Sequence, residues 1–429
     1  MADIRWKGGA AGVAQVNTYA FAGTWEADDL IRAIAGTKKA DLVAGSATTN
    51  TVVTNTDTNF DALDPDTYPE LTSEESGVTA SVPTAGTLTL TANEPGVPFT
   101  ISLTPLEANG GAADAQTIEG AGTVTTGTVA TANAGPNVWG TIYNWDTQAL
   151  PADTNSVYIE GGQDILYDLD QSAIEPTLLS SPLSYTGNIG LPKANELGDE
   201  YPEYRQDYLI IGPTTLHLGY GPGQGSGRIK IDTGTDQTAV LVDGTGSPEE
   251  SSVEAFLWKG TNASNVMTVR GNSSVGVAVF GGEVATLATL TTDEECQVRC
   301  GTGATLGTIV HRGGELTINS AVGTSLTVYV GTVTINGTGT VAQLTILGGT
   351  VVYNTTGTLG GSTVINGDGI LDFSKDPRTK TVTNPIDCQG TGRVLDPDKA
   401  VTSLIVDYNG TAPIEGLGTN VRVTRGAPA

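Results

Sequence analysis

Glu315-Leu316-Thr317-Ile318-Asn319 and Gly331-Thr332-Val333-Thr334-Ile335-Asn336 are two short runs from a stretch, Leu287 to Phe373, that repeats itself. Within each run a period of two puts the aliphatic side chains on one face of a strand and the threonines on the other. Two series of anchors pass through the stretch. Leu287, Leu306, Leu326, Leu344 and Val364 are spaced by 19, 20, 18 and 20 residues, and Val298, Leu316, Val333, Val351 and Ile370 by 18, 17, 18 and 19. Gly-Gly, Asn-Gly and Thr-Gly pairs close the runs, and glycine and asparagine accept the positive φ of tight turns. Short strands, sharp turns and a period near 20 residues predict a coiled parallel sheet, a right-handed parallel β-helix or solenoid.

One rung cannot bury its own inward Leu and Val side chains. Rungs stacked at ~4.8 Å cover each other's inner faces and satisfy each other's backbone groups. A transmembrane barrel also alternates, but it needs lipid-facing apolar bands and aromatic girdles. Here the outward positions are Thr, Ser and Asn. A β-sandwich is the closer competitor, and the solenoid is preferred because the two series stay in phase over four steps.

At 429 residues the chain is long enough for two or three domains, and 57 glycines with only 16% charged residues suit a turn-rich β protein. The net charge of −27 argues against nucleic acid and anionic membrane as direct partners. The acid is unevenly placed: residues 374–429 carry seven Lys/Arg against six Asp/Glu. Cys296, Cys300 and Cys388 are an odd number, so no complete disulfide framework is expected, and buried thiols are the simplest reading. Met-Ala-Asp-Ile-Arg-Trp-Lys-Gly-Gly has no apolar h-region, so no Sec signal is expected. No apolar run is long enough to span a membrane as a helix.

Taken in order, residues 1–20 are polar and Gly/Ala-rich and read as an N-terminal arm. Residues 21–134 read as a small β-rich α+β attachment module. Val52, Thr56, Phe60 and Leu63 predict a helix, and strands are expected at Leu30–Ile34, Val78–Val82, Thr87–Ala92 and Phe99–Leu103. Residues 135–373 read as the β-helix, with a polar insertion from Pro192 to Tyr208. Strands are expected at Leu209–Ile211, Leu216–Leu218, Arg228–Ile231, Ala239–Val242, Phe256–Trp258 and Val266–Val269. At ~20 residues per rung this body has ~12 rungs and is ~60 Å long. Lys375-Asp376-Pro377-Arg378 breaks the phase, so residues 374–429 read as a C-terminal cap and association segment.

Asn144-Trp145, Pro151 and Val157-Tyr158-Ile159 resemble the first rung of many surface β-helices. Trp139 and Trp145 would cover the open apolar end. Asn155-Ser156 stands where that pattern commonly has Gly-Asp. Leu166-Tyr167-Asp168-Leu169-Asp170-Gln171-Ser172, Tyr185-Thr186-Gly187-Asn188-Ile189-Gly190-Leu191-Pro192 and Gly225-Ser226-Gly227-Arg228-Ile229-Lys230-Ile231 resemble proteins encoded in tailed-phage genomes and prophages. The resemblance implies a virion surface protein with a β-helix body, of decoration or fibre type, and carries no catalytic residues or cofactor with it.

Little in the sequence points to catalysis. His217 and His311 are the only two histidines, leaving little material for a Ser-His-Asp triad or a zinc site. The glycines from Gly221 to Gly227 lack a following Lys-Ser/Thr and run into a strand, so they read as a turn. Asp164, Asp168 and Asp170, or Asp199, Glu200 and Glu203, are the carboxylates a glycosidase would need. A chain with 47 acidic residues brings such groups together by chance, and a solvated face or calcium contact is the simpler account. Tyr185, Tyr201, Tyr204, Tyr208 and Tyr220 are candidate glycan-binding rings, beside Tyr167. Asn262, Asn272 and Asn336 match the glycosylation acceptor pattern and read as coincidences of a turn-rich chain. The expectation is a non-enzymatic virion protein made in the host cytoplasm. It would be homotrimeric and held to major capsid or other virion proteins by its N-terminal region. The alternatives are a tail spike that binds or cleaves host glycan, and a cell-surface adhesin.

Overall fold

The computed structural model describes the chain except Met1 and residues 36–37, 69–70, 72–76, 97–98, 107–122, 125–126, 133, 167–170, 191–207, 250–252, 294, 399, 402–403, 411–420 and 425–429. For residues 421–424 it describes the backbone.

Two long parallel sheets dominate, one of 14 strands and one of 10. From Leu209 to Gly410 their strands alternate along the chain, first one sheet and then the other. The inward apolar residues of both sheets belong to one cluster running from Ile4 to Val406. At ~4.8 Å per strand, 14 parallel strands stack to about 60 Å.

The register is continuous. In the first sheet one inward position is held by Ile4, Val157, Leu179, Leu216, Val240, Met267, Leu290, Ile309, Leu326, Leu344, Thr363, Ile386 and Val406, each paired with the next. In the second sheet the matching ladder runs Phe256, Val275, Val298, Leu316, Val333, Val351, Leu371 and Val394. Burying such columns at roughly 25 cal/mol per Å² is the main driving force for stacking.

The expected strands are present with adjusted bounds: Phe99–Leu103 is found at Ile101–Leu106, Arg228–Ile231 at Ile229–Asp232, Leu216–Leu218 lengthens to Thr215–Tyr220, and Leu209–Ile211 shortens to Leu209–Ile210. The two anchor series need correction. Leu306 pairs with Val322, and it is Ile309 that stacks on Leu326. The strands Ala285–Thr292 and Ala304–His311 carry two inward sets, because two half-buried residues in succession break the alternation in each. The first series therefore mixed two neighbouring ladders. At its end Leu344 pairs with Thr363, not Val364. That choice keeps Ile365 inside and turns Val364 outward, because a slip of one residue exchanges the faces. Likewise Val351 pairs with Leu371 in place of Ile370, which buries Leu371 and Phe373 together.

Both expected termini of the repeat are also corrected. Asp3–Trp6 is not part of an arm but the first strand of the 14-stranded sheet, parallel to Ser156–Ile159. At the other end Ile386–Gly390, Leu404–Gly410 and Val421–Thr424 continue that sheet, and Arg393–Leu395 extends the other. The phase break at Lys375 is a long turn, held by Asp376 and the buried Lys380, whose ammonium donates to the carbonyls of Asp376 and Arg378.

Between the first two strands of the large sheet, the chain forms a separate module of antiparallel sheets around one helix, Thr49–Asp61. The helix buries Val52, Val53, Thr56 and Phe60 against its own core of Tyr19, Trp25, Leu88 and Leu90.

Candidate functional site

Three indoles close the start of the stack. Trp6 lies parallel to Trp139 at 6.2 Å, and Trp145 meets both edge-on, at 5.2 Å from Trp6 and 4.7 Å from Trp139. Trp139 donates its indole N–H to Gln171 Oε1 at 2.6 Å, and Trp145 donates to the Trp139 carbonyl at 3.1 Å. The neighbouring Asn144 is buried, and its amide donates to the carbonyls of Gly135 and Val138. The Asn-Trp pair is thus a hydrogen-bonded plug, and the N-terminal strand supplies its third ring.

Beside this plug, the outward face of the first sheet carries a column of polar and aromatic side chains. Arg5, Tyr158, Ser180 and His217 occupy consecutive paired positions. The Arg5 guanidinium lies 4.5 Å from the Tyr158 ring centre and pairs with Glu160 at 2.6 Å. Ser180 donates its hydroxyl to the Tyr220 oxygen at 2.9 Å, and the Tyr220 ring lies 4.8 Å from the His217 ring. His217 Nε2 meets Asp243 Oδ2 at 2.8 Å. Ser180 and His217 therefore lie on neighbouring strands of the sheet and Asp243 one residue past the next, the residue types of a nucleophilic triad. The serine hydroxyl is turned to Tyr220, however, and its side chain is buried. The described bonds make these groups struts along the sheet.

The five tyrosines proposed for glycan do not form one surface. Tyr201 and Tyr204, like Tyr167, Asp168, Asp170, Asp199, Glu200 and Glu203, lie outside the described residues. Tyr185 is a core residue. It is fully buried, its hydroxyl donates toward the carbonyls of Gln163 and Asn188, and burial pushes its phenol well above the usual value. That ring offers no platform to a sugar. Tyr208 is buried just before the first strand of the second sheet, Leu209–Ile210; its hydroxyl donates to Glu283 Oε1 at 2.6 Å, and the Lys259 ammonium lies 4.3 Å from its ring. Tyr220 alone among the described members stands half-exposed on the outer face. Sequence reasoning missed Arg5 and Tyr158. The signal was available, since Asp3-Ile4-Arg5-Trp6 alternates as Ser156-Val157-Tyr158-Ile159 does.

The next outward position along the same sheet forms a further column. Asp243, Arg270, Asp293 and Arg312 follow one another one residue past each strand, each backbone N–H bonded to the strand below. Arg270 bridges Asp243 at 3.8 Å and Asp293 at 3.4 Å, and Arg312 reaches Asp293 at 3.8 Å. Tyr329 and Leu347 continue the column, 45% and 36% exposed.

The remaining reactive groups face inward. Cys296, Cys300 and Cys388 are free and buried, and burial pushes their thiols up to about 11, 12 and 11. His311 occupies an inward position between Thr292 and Val328. Among the described residues, no group of three His, Cys, Asp or Glu side chains is placed to hold a metal ion. No protein-family model, curated protein or solved structure matches the chain.

Proposed function

We propose that the chain is a right-handed parallel β-helix that serves as a non-enzymatic structural protein on a tailed-phage particle. In this reading it is a homotrimeric capsid decoration or fibre-like protein. Alternation of strands between two parallel sheets from Leu209 to Gly410, with one apolar cluster between them, supports the coil. Over that span each return to the same sheet passes through the other, and such parallel crossovers are right-handed in roughly 98% of cases. The observation that carries the functional reading is the unbroken ladder from Ile4 to Val406, with polar side chains spent on bracing neighbouring strands. A long stack of that kind supplies shape and reach, and the antiparallel module at its Trp-plugged end supplies an attachment element. Electron cryomicroscopy of the parent particle tests this. The expected result is a rod about 60 Å long, at ~4.8 Å per strand, fixed at one end to the particle. Purified particles lacking peptides of this chain by mass spectrometry would refute it.

The outward Arg5–Tyr158 and Tyr220 rings favour a second reading, a glycan-binding spike. It requires a glycan-array signal that Tyr158→Ala with Tyr220→Ala abolishes.

A further inference from the structure

In a chain of net charge −27, one face is free of net charge. On the outward side of the first sheet, from Ala239–Val242 to Leu344–Ile346, the two central columns contain only uncharged residues. Thr268, Thr291, Val310, Thr327 and Thr345 form one of them, and Val266, Thr289, Thr308 and Ser325 the other. In the column of Asp243 and Arg312 two aspartates alternate with two arginines and cancel, and Tyr329 and Leu347 follow, exposed. Val330 beside them is also exposed. The outward side of the second sheet differs in kind, since it carries ion-paired side chains, Asp232 with Lys259 and Arg299 with Glu254, and the exposed Glu315, all of which a contact would have to desolvate.

We infer that this neutral face of the first sheet is the surface through which copies of the chain associate. The inference rests on the oligomeric reading above and names its interface. Two copies of so acidic a chain repel wherever their carboxylates approach, and a face without net charge is where that repulsion is least. A partner of opposite charge gains nothing there, whereas a second copy meets rows of Thr and Val side chains at the same ~4.8 Å pitch as its own and can interdigitate. At ~4.8 Å between strands and ~6.8 Å between outward positions, the face measures about 25 by 15 Å, or roughly 400 Å². That is about half of the ~800 Å² each partner gives to a standard interface. The exposed corner at Tyr329, Val330 and Leu347 is therefore needed as well, and assembly is concentration-dependent.

Sedimentation equilibrium of the full chain at tens of micromolar tests this, comparing the wild type with Thr291→Glu plus Thr327→Glu, with Tyr329→Glu, and with Thr334→Glu on the second sheet as control. The wild type and the control are expected to assemble. The two first-sheet variants should need at least about tenfold more protein to do so, because like charges then face each other across the contact. Far-UV circular dichroism and unfolding midpoints equal to wild type show that these variants fold, and Tyr329→Glu, at an exposed turn, is the one least able to disturb the sheet. A wild type that stays monomeric overturns both the oligomeric reading and this interface. Assembly that survives both first-sheet variants overturns the interface alone and leaves the oligomer standing.

Discussion

His311 sits in a column of mostly aliphatic side chains, its Nδ1 2.6 Å from the Thr292 hydroxyl and its ring fully buried. Burial lowers its pKa to about 4 from the usual 6.5. The unfolded chain takes up a proton as pH falls through 6.5, while the folded chain refuses it until about 4. Stability is therefore lost across that window, by about 3 kcal/mol in all at 1.36 kcal/mol per pH unit. Urea midpoints should fall between pH 7 and pH 4.5, and His311→Leu should flatten that part of the dependence. An equal slope in both proteins would assign the acid sensitivity elsewhere. A second residue makes the opposite case. Thr363 takes an aliphatic slot in the ladder, and its buried hydroxyl has no hydrogen-bond partner. Thr363→Val removes that unsatisfied group at nearly constant volume and should raise stability by about 1 kcal/mol. A lower midpoint would mean the hydroxyl is bonded after all.

Among the elements, the Asp3–Trp6 strand shows best where the sequence was legible and where it was not. Runs such as Glu315–Ile318 and Thr332–Ile335 were readable because their ladder partners lie 17 or so residues away, in a repeating phrase. Asp3–Trp6 pairs with a strand more than 150 residues later, across a whole antiparallel module, and no local period reports such a partner. The same limit explains the mixed anchor series. Leu306 and Ile309 are both inward, and only the break in alternation between them tells which stacks on Leu326. Of the candidate site, the indole plug was legible from Asn144-Trp145, while Tyr185 was misread because an inward and an outward tyrosine look alike without a register. Trp6 provides the test. As the third ring of a buried plug, its replacement by Ala should cost about 3–5 kcal/mol, whereas a residue on a loose arm would cost within about 0.5 kcal/mol. Denaturant midpoints separate the two, and a near-neutral Trp6→Ala would remove the N-terminal strand from the stable stack.

Over the whole molecule the balance is between a stack that gains from every added strand and a charge that opposes bringing copies together. Each copy carries −27, and most of that charge is solvated, so its repulsion is long-ranged and screened by salt. Raising ionic strength from about 0.01 M to about 0.15 M shortens the screening length from roughly 30 to roughly 8 Å. If copies meet on the neutral face, the contact contains no net attraction for salt to weaken, and only the repulsion between the acidic flanks is removed. The association constant should then rise over that range, and it should rise further with sulfate, which strengthens apolar burial. An assembly held by ion pairs between copies behaves in the opposite way, because salt screens the attraction that forms it. Sedimentation equilibrium across a salt series distinguishes the two by sign alone. Weakening with salt would transfer the contact to the charged outer side of the second sheet, where Asp232, Lys259, Arg299 and Glu315 stand.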